Sequence, residues 1–255
     1  MWTIQQSQIG RIAIPPALPP GIALFTTTRD YFGRITTELA HDLTAVARDR
    51  FGVDSVLTTC NQVHGKRVER ANASKTWREC DSCDALWTGE THTALGIKVA
   101  DCLPVTMVDS THSVIANVHS GWRGAVQQIT AETIDTIVRE TAFDTASAFA
   151  YLGPSIRTCC FEVGEEVAEQ FDAKYVAREW GTGNPAGQQD RRDRLSSTKP
   201  HVDLVAFTTD ILRQRGFAAE RISDSELCTR CDGSLFHSFR RDGKGGGRNL
   251  VVVAQ

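Results

Sequence analysis

The sequence has no run of about 18 consecutive apolar residues, the length a helix needs to cross a bilayer. Excess charge of one sign is also missing, since 28 Lys and Arg oppose 31 Asp and Glu for a formal net charge of -3. That balance excludes a general binder of nucleic acid or membrane surfaces, which are held by basic patches and counterion release. Any anion bound by this chain is small. The opening segment MWTIQQSQIGRIAIPPALPPG lacks the early cations and unbroken apolar stretch of a secretory signal, its first cation being Arg11. The default location is therefore the cytoplasm, and the 8 Cys are read as thiols or metal ligands, not as a disulfide framework. The glycine-rich KGGGR lacks the GK[ST] order of a P-loop, so ATP hydrolysis is not indicated.

What is present is enough apolar residue, 41% of 255, to build a sizeable core. Without an internal repeat or a convincing linker, the chain reads as a single α+β domain over 1–255. The stretch IALFTTT predicts a strand, and Leu39, Leu43, Val46 and Ala47 predict a helix stopping at Gly52. KVADCLPVTMVD and HSVIANVH give two β-rich runs joined at Asp109, Ser110 and Thr111, with Pro104 near an edge, bulge or strand end. One amphipathic helix is predicted from Trp122 through Val126, Ile129, Thr133, Ile137 and Val138, which puts His119 at a strand-to-helix transition. AFAYLGPSI reads as a strand, Val163, Val167, Phe171 and Tyr175 as a helix, and Arg178 to Pro200 as a polar lid, insertion or mobile loop. A helix with Leu204, Phe207 and Ile211 buried should end at Gly216. LFHSFRR and NLVVVAQ read as strands around a flexible turn.

His64, Cys102 and His119 interrupt apolar strand ends. Together they are the ligand set of an open tetrahedral zinc site, with a fourth position left for water or substrate. A second reading takes Cys102 as a nucleophile, His119 as its base and Asp101 or Asp84 as orienter. The pairs Cys80/Cys83 and Cys228/Cys231 resemble halves of a structural four-cysteine site, although Cys80 and Cys83 lie in the acidic stretch ECDSCD. Adjacent Cys159 and Cys160 are too close for an ordinary disulfide and should point to opposite faces of a strand. Arg29, Arg123 and the cluster Arg240, Arg241 and Arg248 are candidate anion holders, Arg123 foremost because it falls in the first turn of a predicted helix.

The motifs QVHG, ADCLPV, VHSGWRG, GPSIRTCCFEVG, HVDL and SFRRD with a following GR occur in this order and spacing. They resemble the YfiH-like family, long labelled multicopper polyphenol oxidases or laccases and now regarded as zinc-dependent purine nucleoside phosphorylases. The resemblance covers about residues 20 to 253. It implies mixed sheets flanked by helices in α/β/β/α layers, and a mononuclear Zn2+ on His64, Cys102 and His119, with Cu2+ as the alternative metal. It also implies phosphorolysis of adenosine, inosine, guanosine and 5′-methylthioadenosine, and deamination of adenosine. Arg29, Asp101, Glu162, Arg123, Arg240, Arg241 and Arg248 then face the site, with Asp101 or Glu162 shuttling a proton beside Cys102. The implied partners are a purine nucleoside and phosphate, with no nucleic acid or membrane, in a monomer or weak dimer. After Arg29 the family's glycine-rich turn is replaced by DYFGRITTELAHDL, a departure on the substrate side.

A laccase needs many imidazoles, usually in H-x-H pairs. The 7 His here include no such pair. A zinc-stabilised module that only binds a nucleotide or cell-wall precursor is the non-enzymatic alternative.

Overall fold

The computed structural model describes residues 1–31, 35–109, 111, 114–178 and 199–255. Ser110 of the predicted turn, His112 and Ser113 at the start of the second predicted β-rich run, and 179–198 of the polar segment lie outside the described residues.

In chain order the first half comprises β1 (Thr3–Ser7), β2 (Gly10–Ile14), β3 (Ala23–Thr27), α1 (Thr37–Phe51), β4 (Val56–Cys60), β5 (Val68–Arg70) and β6 (Arg78–Cys80). Next come β7 (Ala85–Thr88), β8 (Thr93–Val99), β9 (Leu103–Asp109), β10 (Val114–Ser120), α2 (Trp122–Val126), α3 (Ile129–Glu140) and β11 (Phe149–Leu152). The chain ends with α4 (Glu165–Ala168), β12 (Val176–Ala177), β13 (His201–Val202), α5 (Leu204–Gln214), β14 (Ile222–Asp224), α6 (Phe239–Asp242) and β15 (Asn249–Ala254).

Two large sheets form, in the orders β1-β2-β3-β15-β8-β4-β6 and β14-β11-β9-β10-β7-β5. Alternation along single strands shows how they stack. On β15, Leu250, Val252 and Ala254 pack with Leu43 and Val46 of α1, whereas Val251 and Val253 join a core shared with Ile115 of β10. On β10, Val114, Ala116 and Val118 face Ile134 and Ile137 of α3 and Leu212 of α5. Three apolar layers between four sets of elements make an α/β/β/α sandwich, with each sheet buried on both faces. This is why NLVVVA and VIANVHS read as continuous apolar runs.

Helix α1 follows its sequence signals. Thr36 Oγ1 accepts the Leu39 N–H at 3.3 Å, and Gly52 closes the helix at φ 70. Pro104 is the second residue of β9, at a strand end. Other elements differ from expectation. The helix predicted from Trp122 is split into α2 and α3 by Gln128 at φ 65, and Val138 is exposed. Val163, Val167, Phe171 and Tyr175 are all buried, but only the short α4 and a 3-10 turn at Ala173–Tyr175 are helical. The predicted strand LFHSFRR ends in α6 instead, because the Ser238 hydroxyl accepts the Arg241 N–H at 3.3 Å and caps a helical turn. Phe207 is half-buried, packed edge-on against Phe171 and Tyr175.

Topology decides where the site lies. β10 runs antiparallel to β7 and β9, β5 is parallel to β7, β11 is antiparallel to β9, and β14 is parallel to β11. The starts of β5, β7 and β9 and the ends of β10, β11 and β14 therefore share one end of the second sheet. The loops carrying His64, Asp84, Cys102, Cys159 and Cys228, and the end of β10 that carries His119, all converge there.

Between the sheets, the buried Asn117 donates from Nδ2 to the carbonyls of Leu95 and Val251, both at 3.0 Å, and accepts the Thr106 hydroxyl at 3.2 Å. It is a polar staple across an apolar interface, fully satisfied where an orphaned partner would be costly. Asn117→Ala should destabilise the protein by about 1–3 kcal/mol in urea unfolding, the cost of leaving such partners unpaired. An unchanged midpoint would remove the staple's importance.

Candidate metal centre

The centre is built around Asp84, which is completely buried just ahead of β7. Its Oδ2 accepts the N–H groups of Val63 at 3.2 Å and Gly65 at 2.7 Å, and its Oδ1 accepts that of His64 at 2.9 Å. Three successive amides gripping one carboxylate hold His64 at φ 60, a left-handed conformation that L-residues adopt only when surroundings impose it. The loop is tied to the other sheet by Gln62. Its Nε2 donates to Lys98 O at 2.7 Å, and its Oε1 accepts the Lys98 N–H at 2.9 Å, as an extra strand residue would.

Asp84 Oδ1 also bonds His119 Nδ1 at 2.8 Å, and its backbone carbonyl accepts the His119 N–H at 2.7 Å. This leaves Nε2 of His119 as the free ligand atom, the carboxylate–histidine arrangement found behind metal-bound imidazoles. Cys102 Sγ lies 3.9 Å from His64 Nε2, and ligand atoms of His64, Cys102 and His119 all fall within 4.8 Å of one another. Tetrahedral zinc would set nitrogen and sulfur ligands about 3.5 Å apart, so a small inward movement completes the site. Burial is graded, with His119 buried, Cys102 half-buried and His64 exposed, leaving one side open. Gly121 makes room. A Cβ there would come within 2.9 Å of Cys102 Sγ and 3.2 Å of His64 Cδ2.

Electrostatics prepare the donors. Burial pushes the Cys102 thiol up, but hydrogen bonds and charge from His119 and His64 together outweigh it and bring the thiol down to about 6. Burial opposes a cationic His119, yet Asp84 and then Cys102 raise it to about 9. Asp84 is held below the usual carboxylate range despite its burial, by His119 and the amides of Gly65 and Val63. A thiolate beside an imidazolium is what a divalent cation displaces a proton from.

The triad opens into a cavity of about 660 Å³ whose wall includes Asp101, Trp122, Arg123, Phe239, Arg240 and Arg248. Arg123 lies over the Trp122 ring at 4.4 Å. Asp101, at φ 88, accepts the Thr229 hydroxyl on Oδ1 at 2.6 Å and the Arg240 N–H on Oδ2 at 2.7 Å. Three of the other sequence candidates are not in this wall. Arg29 binds Gly233 O, and Arg241 fastens Thr229 O, Arg230 O and Phe236 O. The Glu162 carboxylate lies 3.5 Å from Lys199 Nζ, and its carbonyl accepts Arg240 Nη1 at 2.8 Å.

Asp84, considered in the sequence only as a possible orienter, is the residue that orders the whole centre. Nothing in DSCDAL marks it beyond a charge at the mouth of an apolar strand. Cys80 and Cys83 do not approach Cys228 and Cys231, and instead share the core between the sheets with Cys60. Cys159 and Cys160 lie in a turn, not a strand, and their thiols point the same way, 3.7 Å apart.

Fold and site define a layered α/β/β/α protein with an open two-histidine, one-cysteine centre. The chain belongs to the family described as multi-copper polyphenol oxidoreductase laccase, whose model matches residues 37–255. It is 36% identical over 174 residues to "Adenosine deaminase RL5" of an unknown prokaryotic organism, a match covering 68% of this chain and 62% of that protein. It is 31% identical over 200 residues to "Purine nucleoside phosphorylase YlmD" of Bacillus subtilis, covering 76% and 68%. The crystal structure of YlmD from Geobacillus stearothermophilus superposes with a TM-score of 0.77 at 21% identity, covering 99% of this chain and 98% of that one.

Asp84→Asn places an amide's two N–H donors where the carboxylate receives four. Zinc affinity should fall about 10–100-fold in competition with a chromophoric chelator, the usual effect of losing a partner behind a metal ligand. An unchanged Kd would show that Asp84 does not tune the ligands.

Proposed function

We propose that the protein is a zinc-dependent purine nucleoside phosphorylase acting on adenosine, inosine, guanosine and 5′-methylthioadenosine, with adenosine deaminase activity at the same centre. One observation carries the reading: the open ligand set of His64, Cys102 and His119 shares a single cavity with Arg123, Arg240 and Arg248. The phosphorylase and deaminase names of similar proteins support it. We place this chemistry in the cytoplasm, whose reducing poise keeps a thiolate such as Cys102 available.

Zinc held by these ligands supplies Lewis acidity at an open position, able to polarise a purine or to lower the pKa of a water to about 7. The cavity is within the size range of small-molecule sites. Trp122, Phe161 and Phe239 offer flat apolar faces for a purine, and Phe239 stands 48% exposed on the rim, where a bound base would cover it. Forked guanidinium donors match phosphate. In phosphorolysis a phosphate oxygen bonds to C1′ while the C1′–N9 bond breaks and its electron pair leaves with the base. Orienting that oxygen and screening its charge is the work of the arginines. Asp101 positions Arg240 through the backbone amide it accepts. It is also the carboxylate in the cavity wall that could carry a proton during deamination.

A second reading rests on the Asp84–His119 contact beside Cys102, which has the parts of a nucleophilic cysteine with base and orienter. Incubation of zinc-loaded protein with adenosine and phosphate separates the possibilities. Adenine, ribose 1-phosphate and inosine are expected. Arg248→Ala should raise KM for phosphate about 10–100-fold, the worth of a charged hydrogen bond. Oxidation of phenols with none of these products would overturn the proposal in favour of copper chemistry. Activity that survives chelation and falls on adding metal would select the cysteine nucleophile. Thermal stabilisation by nucleoside without turnover would leave a binding module.

A further inference from the structure

Away from the open triad, four cysteines from two loops meet at the same end of the second sheet. Cys159 Sγ lies 3.7 Å from each of the sulfurs of Cys160, Cys228 and Cys231, and Cys160 Sγ lies 3.3 Å from that of Cys231. All four sulfurs fall within 4.8 Å of one another. Zinc bound by four thiolates at about 2.3 Å puts its ligands about 3.8 Å apart, so the cluster has the dimensions of a tetrahedral four-sulfur shell. Iron–sulfur clusters interpose several iron and sulfide atoms between cysteines and need a wider cage, so the spacing selects a single ion.

The surroundings suit a bound cation. Cys228 and Cys231 form a C-x2-C knuckle. The Asp232 N–H donates to Cys228 O at 2.8 Å, and Asp232 Oδ2 accepts the Cys228 N–H at 3.0 Å, closing the turn. The opposing loop is equally tight, with the amides of Cys160 and Phe161 both donating to Arg157 O at 2.8 Å. Cys159, Cys160 and Cys228 are buried and Cys231 is half-buried, so the shell leaves no open coordination position. Four thiolates and one divalent ion carry a net charge of -2. The nearby Arg157 guanidinium is already paired with Asp224, both Nη atoms donating to its carboxylate at 2.7 Å.

We infer that Cys159, Cys160, Cys228 and Cys231 bind a second, structural zinc ion, separate from the open centre. Its work is mechanical. Thr229, inside the knuckle, donates its hydroxyl to Asp101 and its carbonyl accepts Arg241 Nη1, while the carbonyls of Cys160 and Glu162 accept Arg240 Nη1. Joining the two loops therefore fixes Asp101, next to Cys102, and Arg240 in the cavity wall.

The test is metal analysis of the full-length protein purified under reducing conditions. Wild type should hold two zinc ions per chain, and both a His64→Ala, Cys102→Ala variant and a Cys228→Ser, Cys231→Ser variant should hold one. Cobalt bound to the first variant should show the intense charge-transfer and ligand-field bands of tetrahedral four-thiolate coordination, a readout that needs no enzymatic activity. If the serine variant fails to fold, titration of native His64→Ala, Cys102→Ala protein with an organomercurial decides, with one zinc expected to leave as the four clustered thiols react. No zinc in that variant, or zinc in it that stays when the clustered thiols are blocked, would overturn the inference. Failure of phosphorolysis with both ions bound would count against the proposed activity alone.

Discussion

The carboxylate of Asp84 is the contact on which the rest of the centre depends. It is fully buried yet ionised, because three backbone amides and one imidazole donate to it. A buried charge is tolerated only when its hydrogen-bonding capacity is filled, and here every donor that fills it belongs to a candidate metal ligand or to that residue's immediate neighbours. The electrostatic need of one side chain thus shapes the His64 loop, selects the tautomer of His119 and, through His119, draws Cys102 toward thiolate.

The sheet architecture makes this concentration possible. Parallel pairing of β5 with β7 and antiparallel pairing of β10 with both its neighbours bring the starts and ends of several strands to one rim. A ligand from the start of β9 can then meet one from the end of β10 through register alone, since Pro104 pairs with His119. Burial of both sheets on both faces keeps these ends rigid, while Gln62 and Asn117 connect one sheet to the other through side-chain amide hydrogen bonds.

Those residues were legible in the sequence to different degrees. His64, Cys102 and His119 stood out because each puts a metal-binding side chain where an apolar strand ends, an arrangement that costs stability unless it is used. The strands and α1 were legible because caps and apolar runs are local signals. Asp84 could be named but not ranked, since its role depends on amides contributed by a loop some 20 residues earlier. The same limit hid the partners of Cys228 and Cys231. Spacing pointed to Cys80 and Cys83, the nearest similar motif, whereas the fold supplies an adjacent pair that no common zinc spacing describes. The break at Gln128 and the turn of α6 were missed for a different reason: the apolar pattern runs through both, and only backbone conformation and a serine cap interrupt it.

The two clusters use cysteine in opposite ways, and this bears on the copper label of the family. Copper(II) outcompetes zinc for most nitrogen and sulfur sites, so affinity alone would load the open triad with copper wherever copper is at hand. Multicopper oxidation, however, needs several coppers close enough to exchange electrons. Among the described residues the second group able to hold a metal has thiols only and no open position. A closed four-sulfur site would hold an ion away from oxygen and substrate and could only brace the loops around it. An open site lined by arginines would, with metal bound, present one Lewis-acidic position to an anionic nucleophile. With metal in both, this division, one thiol-only group closed and the other open to a cavity of about 660 Å³ lined by arginines, would favour group transfer over electron transfer on physical grounds that do not depend on the family's label.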